Sequence, residues 1–334
     1  MGLSVKRTDQ ISFNNLLSSN GNSAAFVFDS SQMRRIDYEI TKVARMNVPV
    51  LIIGETGVGK DLVAKLIHSR SSRANKPFEY IPIKSLHEGL LESELFGFEK
   101  GAFTGASEDR IGKLERANTG TAYLPEISTL PDTTQLKLLE FMQYTNIERV
   151  GGGAKGKIKL DVRIIMASNE DLERLVSEGR LRKDFYYRIK VYTIEIPSLR
   201  ERSGDIEILA KHFLELYSVK MTGKKYSICS DAIVLLKDHK WEGNIRELEN
   251  SIIRAIIKSE DGILKPIDFS FNNNSAFKME GLSKITDFKT AETNFKKDYY
   301  RKLLSKTNNN ISKAAEIAGI SRQALHNIIK QLAL

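Results

Sequence analysis

Short apolar runs alternate with amphipathic helical patterns through most of the chain. Four of these runs have the length and composition of buried strands: Val50–Ile53, Tyr80–Ile83, Ala122–Leu124 and Val162–Met166. Helical patterns, such as 61–68 and 135–142, separate them. This alternation predicts an α/β fold in which helices cover a parallel sheet.

From residue 204 onward the pattern is helical, with helices predicted at 205–218, 230–239 and 244–258. A Gly/Pro/Asn-rich stretch at 262–274 predicts a linker, and a last helical segment follows from about residue 288. The predicted organisation is a polar lead-in (1–25), an α/β region (26–203), a helical region (204–261), a linker (262–285) and an all-α terminal domain (286–334).

Composition and charge indicate where the protein acts and what it binds. The chain has 334 residues, 41% of them hydrophobic, and its apolar runs fall short of the roughly 18 residues of a membrane span. The amino terminus has no apolar signal region, and the lone Cys229 fits a reducing compartment. We therefore expect a cytoplasmic protein with no membrane partner. Of the net charge of +9, +6 lies from Lys284 onward, which favours nucleic acid as a partner.

The first predicted strand runs directly into a glycine-rich loop and then a helix, which is the context of a phosphate-binding P-loop. The candidate nucleotide-binding residues are Gly54, Glu55, Thr56, Gly57, Val58, Gly59, Lys60 and Asp61. Glycines allow backbone N–H groups to surround phosphates, and Lys60 reaches the β and γ oxygens. A glycine turn without a ligand does not explain a lysine at this spacing. Asp61 stands where P-loops usually carry a magnesium-contacting Ser or Thr.

A second small-residue loop lies about forty residues downstream: Gly101, Ala102, Phe103, Thr104, Gly105 and Ala106. We expect a tight turn with positive φ at Gly101 or Gly105. A phenylalanine on such a loop has little around it to pack against, and an exposed aromatic side chain is typical of a partner contact. The alternative is a flexible turn with a half-buried Phe103.

The segment 310–326 predicts a helix, a tight turn and a second helix. Ser312 and Ser321 are the expected N-caps, Gly319 supplies the turn, and apolar side chains pack the two helices together, namely Ala315, Ile320, Leu325 and Ile328. The candidate DNA contacts are Ser321, Arg322, Gln323, His326, Asn327 and Lys330. The alternative is a helical hairpin with a solvated face.

Taken in order, these motifs resemble a known family over about residues 26–260. They are Gly54–Asp61, Glu94–Gly97, Gly101–Ala106, Gly120–Thr121 before Glu126–Ile127, Arg149–Gly152, Asp161–Asn169, Arg182 through Arg188, Pro197–Arg202 and Trp241–Leu248. The chain resembles the AAA+ domain of bacterial sigma-54-dependent transcription activators. Its carboxy-terminal segment is similar to the Fis-type helix-turn-helix of that family.

The resemblance implies ATP and Mg²⁺ as cofactors, and sigma-54 RNA polymerase and upstream promoter DNA as partners. It implies that Phe103 and Thr104 carry the sigma-54 contact. Nucleotide sensing falls to Asn169 and Arg246, and catalysis to Glu126 with the arginine fingers Arg182 and Arg188. It further implies a homo-oligomeric ring, expected to be a hexamer, with dimerisation through a helix at 287–305.

Two positions depart from the family pattern. The acidic Asp-Glu pair at the end of the third strand is Pro125-Glu126 here, and Pro82 replaces an asparagine that bonds the catalytic glutamate. Proline offers no metal ligand. The metal ligands are therefore unknown, with Asp61 and Glu126 as candidate substitutes.

These departures leave three interpretations open. The chain is an active ATPase of this family, or a hydrolysis-impaired modulator of transcription, alone or in a mixed ring with an active paralogue. The third interpretation is a different AAA+ machine, such as a replication or helicase-loading factor. ATP binding is expected in the first two, and hydrolysis stays open.

Overall fold

In the computed structural model the chain forms two compact units, residues 1–270 and 271–334. The structure describes residues 26–85, 88–152, 156–271, 297, 300, 301, 303, 304, 307 and 310–332. The lead-in 1–25 and most of the predicted helix 287–305 lie outside the described residues. No helix of the described part of the chain is long and apolar enough to cross a bilayer.

The helices of the first unit are α1 Ser31–Ala44, α2 Lys60–Ser69, α3 Glu88–Phe96, α4 Lys113–Arg116, α5 Asp132–Tyr144, α6 Leu172–Ser177, α7 Lys183–Ile189, α8 Ser203–Thr222, α9 Ser230–Asp238 and α10 Asn244–Lys258. Its strands are β1 Val50–Ile53, β2 Phe78–Tyr80, β3 Gly97–Phe98, β4 Arg110–Ile111, β5 Thr121–Leu124, β6 Asn146–Ile147, β7 Ile158–Lys159, β8 Arg163–Ser168, β9 Tyr192–Glu195, β10 Ser227–Ile228 and β11 Ile263–Leu264. Short 3-10 turns occur at Ile83–Ser85, Ile127–Thr129, Leu199–Arg202 and Pro266–Asp268.

The main sheet has five parallel strands in the order β2-β5-β8-β1-β9. Strand β1 lies between β8 and β9, with Val50 opposite Ile165 on one side and Tyr192 on the other. Helices cover both faces, so strand residues alternate between two apolar layers. Leu51 packs in the layer with α3, α5 and α7, whereas Val50 and Ile52 pack in the layer with α1 and α2.

In the main sheet the structure shifts one predicted strand and adds another, β9. Strand β2 ends at Tyr80, so the predicted strand Tyr80–Ile83 was placed about two residues late. Pro82 has no N–H for a sheet ladder, and its carbonyl instead accepts from the Ser85 N–H at 3.1 Å, which opens the 3-10 turn. Strand β9 was not predicted, because its half-buried pattern resembles the surrounding loop.

Beyond α8 the first unit contains the predicted helices α9 and α10, and α10 has the predicted bounds. Strand β11 pairs in parallel with β10, and the turn Pro266–Asp268 packs on α9 and α10. The first residues of the predicted linker therefore pack on these helices.

In the second unit the described helices are α11 Ile311–Ala318 and α12 Arg322–Leu332. The Lys313 N–H donates to Oδ1 of Asn310 at 3.2 Å, so Asn310 caps α11 and the prediction of Ser312 was wrong. Ser321 caps α12 as predicted, since its hydroxyl accepts from the Ala324 N–H at 3.1 Å, and Gly319 has φ +65°. The buried cluster contains Ala314, Ala315 and Leu325, with Ile329 beside it where Ile328 was predicted.

Candidate functional site

Three sequence motifs meet at the carboxyl edge of the main sheet. The P-loop follows β1, Pro125 and Glu126 follow β5, and Asn169 follows β8. The register aligns these ends, because Ile53 lies opposite Ser168 and Leu124 lies opposite Met166. Ligands of parallel α/β sheets bind beyond this edge, so the sheet itself assembles the site.

The P-loop has the backbone conformation that its glycines predicted. Gly57 has φ +82° and Gly59 has φ +106°, and α2 begins at Lys60. The Lys60 ammonium donates to the carbonyls of Gly54 at 2.8 Å and Glu55 at 3.0 Å. Burial lowers the pKa of Lys60 below its usual value, against the opposing charges of Asp61 and Glu126. This ammonium is therefore fixed at the centre of the loop.

The helical region closes on the P-loop through Asn244, which is fully buried. Its Oδ1 accepts from the Leu199 N–H at 2.8 Å, and its Nδ2 donates to the Thr56 carbonyl at 3.0 Å. The Ile245 N–H donates to the Gly57 carbonyl at 3.0 Å. A Cβ on Gly57 would lie 2.3 Å from the Gly243 carbonyl oxygen, so the two backbones touch there.

Glu55 adds a charged link to this closure. It pairs with Arg200 at 2.5 Å and accepts from Asn244 Nδ2 at 3.0 Å. The hydrogen bonds from Arg200 and then Asn244 lower the pKa of Glu55 to about 2. These two partners stabilise the ionised carboxylate.

Between the P-loop and the helices lies a cleft of about 800 Å³. Its polar lining includes Lys60, Lys84, Glu126, Arg202, Arg246 and Glu249. Arg246 therefore lies at the cleft. Asn169 donates from Nδ2 to the Thr56 hydroxyl at 3.2 Å, which places it beside the P-loop.

The side of the cleft next to the carboxyl end of β5 is called the strand-end side here. On this side, Tyr123 donates its hydroxyl hydrogen to Oδ1 of Asp61 at 2.7 Å. Tyr123 is fully buried in β5. Burial, with the nearby Asp61 carboxylate, raises the pKa of this phenol far above its usual value. The hydroxyl thus remains a donor, and one oxygen of Asp61 is occupied.

Pro125 and Glu126 lie at the end of β5, with Glu126 in the left-handed region at φ 58°. The turn opened by Pro82 brings Lys84 towards this position, where its Nζ lies 3.9 Å from Glu126 Oε2. Both side chains line the cleft. The ammonium group of Lys84 therefore faces the carboxylate of Glu126.

The residues at this edge do not fit a magnesium ion. Mg²⁺ in nucleotide sites is bound through carboxylate or hydroxyl oxygens together with phosphate. Pro125 offers no ligand, Asp61 accepts the Tyr123 hydrogen bond, and Glu126 faces the Lys84 ammonium. Within the described ranges no cluster of three His, Cys, Asp or Glu could hold a metal.

The two predicted arginine fingers lie away from the cleft of their own chain. Arg182 pairs with Asp184 at 2.9 Å and Asp132 at 3.6 Å. Arg188 donates to the Met142 carbonyl at 2.5 Å. Neither residue lines the cleft.

The hexapeptide 101–106 forms a compact turn. Gly101 and Gly105 have φ +82° and +101°, as the composition predicted. The Gly101 N–H donates to the Ala106 carbonyl at 2.9 Å, which closes the loop on itself. Phe103 is 43% exposed and packs edge-on against Phe98 at 5.0 Å between ring centroids. The expectation that Phe103 has little to pack against was therefore wrong.

The base of this loop is tied to a neighbouring segment. The Glu99 N–H donates to the Val150 carbonyl at 3.0 Å. Gly151 has φ +78°, and a Cβ there would lie 2.6 Å from Ala102 Cβ. Arg149 forms hydrogen bonds with both carboxylate oxygens of Glu115 at 2.8 Å. The tip is exposed, while its base is fixed.

Four predicted DNA contacts are exposed on α12 or just before it: Ser321, Arg322, Gln323 and His326. Asn327 and Lys330 belong to α12, but their side chains lie outside the described part of the chain.

Sequence reasoning missed three residues of the cleft edge: Tyr123, Lys84 and Asn244. Tyr123 carries a phenol within a strand buried on both faces, and that unusual position was the available signal. Nothing in the local sequence indicates the partners of Lys84 or Asn244, because both contacts join residues far apart in the chain.

A five-stranded parallel sheet with a P-loop after strand β1 and a helical lid, formed by the helical region from residue 204 onward, defines an AAA+ P-loop NTPase fold. Residues 26–195 match the model of the sigma-54 interaction domain, and residues 200–279 match that of an AAA+ ATPase lid domain. The chain belongs to the family of sigma-54-dependent transcription activators.

Relatives agree with this assignment. The Nif-specific regulatory protein of Azotobacter vinelandii is 47% identical over 232 residues, covering 70% of this chain and 44% of the relative. The regulatory protein AtoC of Escherichia coli K12 is 41% identical over 307 residues, covering 89% and 65%. The chain thus spans about half to two thirds of these relatives.

Among solved structures, NtrX from Brucella abortus superposes with a TM-score of 0.69 at 33% identity. The match covers 92% of this chain and 69% of NtrX. NtrX has also been crystallised in complex with ADP and with ATP.

Proposed function

We propose that this protein is a regulator of sigma-54-dependent transcription that binds ATP, contacts sigma-54 through the hexapeptide 101–106 and binds upstream promoter DNA. The observation that carries the proposal is the half-exposed Phe103 on a loop with a fixed base, in a chain of this family. The hydrogen bond from Glu99 to Val150 and the close approach of Gly151 to Ala102 are not features of a flexible turn.

ATP is the proposed cofactor of the cleft. The fixed Lys60 ammonium and the positive-φ glycines of the P-loop suit phosphates, and Asn169 and Arg246 lie where they can report the γ-phosphate. The related NtrX has been crystallised with ATP. We assign the role of water-activating base to Glu126.

Upstream promoter DNA is the proposed partner of the second unit. Its exposed Arg322, Gln323 and His326 follow a capped helix start, which suits base edges and phosphates in a major groove. The charge of +6 from Lys284 onward supports the same partner. Binding to promoter DNA would place the protein in the bacterial cytoplasm.

A ring is the proposed assembly. Arg182 and Arg188 lie outside their own cleft, which suits fingers that reach the nucleotide of a neighbouring subunit. We propose a hexamer of this chain or a mixed ring with a paralogue.

A second candidate function is that of a hydrolysis-impaired modulator, and the strand-end side of the cleft favours it. Phosphoryl transfer depends on metal electrostatics and positioning, and the residues there do not fit Mg²⁺. Phosphate release by the purified chain separates the candidates. Turnover that Glu126→Gln abolishes would support the active ATPase, whereas ATP binding without turnover would support the modulator.

The sigma-54 contact is tested by binding of purified sigma-54 to the wild-type chain and to Phe103→Ala and Thr104→Ala. We expect both variants to lose binding. Tyr38→Ala is the matched control, because Tyr38 is a 70% exposed aromatic residue on α1, remote in sequence from the loop. Full binding by Phe103→Ala and Thr104→Ala would refute the proposed contact.

A further inference from the structure

Three features of the strand-end side of the cleft contact one another or lie side by side. Tyr123 donates to Asp61, Pro82 opens the turn that carries Lys84, and Lys84 faces Glu126 beside Pro125. Without these partners, the carboxylates of Asp61 and Glu126 would face the phosphates of a bound nucleotide. Here the Tyr123 hydroxyl donates to Asp61 and the Lys84 ammonium lies beside Glu126.

The charges of the side chains in the cleft indicate which ligand it suits. A nucleoside triphosphate carries several negative charges, and Mg²⁺ normally offsets part of them. The cleft offers Lys60 from one side and Lys84 from the other, and Lys84 is 69% exposed and paired with Glu126 only at 3.9 Å. A loosely held ammonium on a flexible stem is free to turn towards a phosphate oxygen.

On the basis of the proposed ATP binding, we infer that this cleft binds nucleoside triphosphate without a divalent cation, and that the Lys84 ammonium supplies the charge that Mg²⁺ supplies elsewhere. Lys60 holds the phosphates from the P-loop, and Lys84 binds them from the strand-end side. Pro125 contributes by adding no second carboxylate beside Glu126 that would compete for the ammonium.

The experiment is calorimetric titration of the full chain with ATP, once in MgCl₂ and once in EDTA. We expect the wild-type chain to bind with the same affinity in both buffers. Lys84→Ala should weaken binding in EDTA by about tenfold, the value of one charge-assisted contact to phosphate. Lys84→Arg, which keeps the charge, should restore most of the affinity.

Lys65→Ala is the matched control. Lys65 is an exposed lysine on α2 that does not line the cleft, so its loss should leave both titrations unchanged. Wild-type binding that requires MgCl₂, or Lys84→Ala binding as tightly as the wild type in EDTA, would overturn this inference while ATP binding itself stands. No binding in either buffer would overturn the proposed ATP binding and this inference with it.

Discussion

The two sides of the nucleotide cleft differ in what holds them. The P-loop side is built from backbone groups and from contacts with the lid, through Gly57, Lys60 and Asn244. The strand-end side is built from side chains, where Tyr123 bonds Asp61 and Lys84 lies beside Glu126, next to Pro125. The proposed phosphate binding and the proposed hydrolysis therefore depend on different parts of one cleft, and one part can change without the other.

The largest difference between the two sides is expected in ATP binding. Lys60→Ala removes the fixed ammonium of the P-loop and should weaken ATP binding by about a hundredfold, near the upper value for charge-assisted contacts. Calorimetric titration measures this loss, with Lys65→Ala as the control. A Lys60→Ala chain that bound ATP like the wild type would show that the P-loop side is not the main phosphate site.

Contact between the P-loop and the lid is tested by Gly57→Ala. The new Cβ would meet the Gly243 carbonyl at 2.3 Å in a backbone with φ +82°, so we expect a loss of roughly 3 kcal/mol in unfolding free energy. Chemical denaturation measures it. Gly179→Ala is the control, since Gly179 has φ +71° with no atom within 4 Å of the new Cβ. Equal losses in both variants would mean that φ strain, rather than the lid contact, sets the cost.

A smaller effect is expected from Tyr123→Phe on the strand-end side. The substitution removes the hydrogen bond to Asp61 but keeps the buried ring, so unfolding free energy should fall by about 1 kcal/mol. Asp61 is exposed, and water can replace the lost donor. Thermal and chemical unfolding both check this value. A loss of several kcal/mol would mean that water does not replace the lost donor and that this hydrogen bond stabilises the fold more than an ordinary one.

The smallest effect concerns Glu55, whose pKa is lowered to about 2 from 4.5. A lowered carboxyl pKa stabilises the fold above about pH 4.5, and this contribution is lost as the pH falls towards 2. Because the side chain is 42% exposed, Glu55→Gln should cost only about 0.5 kcal/mol at pH 7. Unfolding measured between pH 7 and pH 3 should show the wild-type and variant curves converging; a constant gap would contradict the link to ionisation.

Much of the fold followed from the sequence because its signals are local. The glycines of the P-loop, the two positive-φ glycines of the hexapeptide and the periodicity of α10 were each visible within a few residues. The contacts that distinguish the strand-end side were not. Tyr123 meets Asp61 across 62 residues, and Lys84 meets Glu126 across 42, so only the folded sheet brings them together.

The predicted strand Tyr80–Ile83 and the predicted cap at Ser312 failed for a related reason. In each case the deciding residue lay within the predicted segment or two positions before it, and its effect was misjudged: Pro82 has no N–H for the ladder, and Asn310 competes with Ser312 for the cap. Pro82 ended the ladder early, and Asn310 captured the N–H at the start of α11.

The Tyr123–Asp61 hydrogen bond has a consequence for any attempt to build a metal site at this edge of the sheet. An aspartate at position 125 would add a carboxylate beside Glu126, within the surroundings of Lys84, while Asp61 would still be held by a buried phenol. A single substitution there leaves both Lys84 and Tyr123 in place. A metal site would therefore need changes at several positions that lie far apart in the sequence.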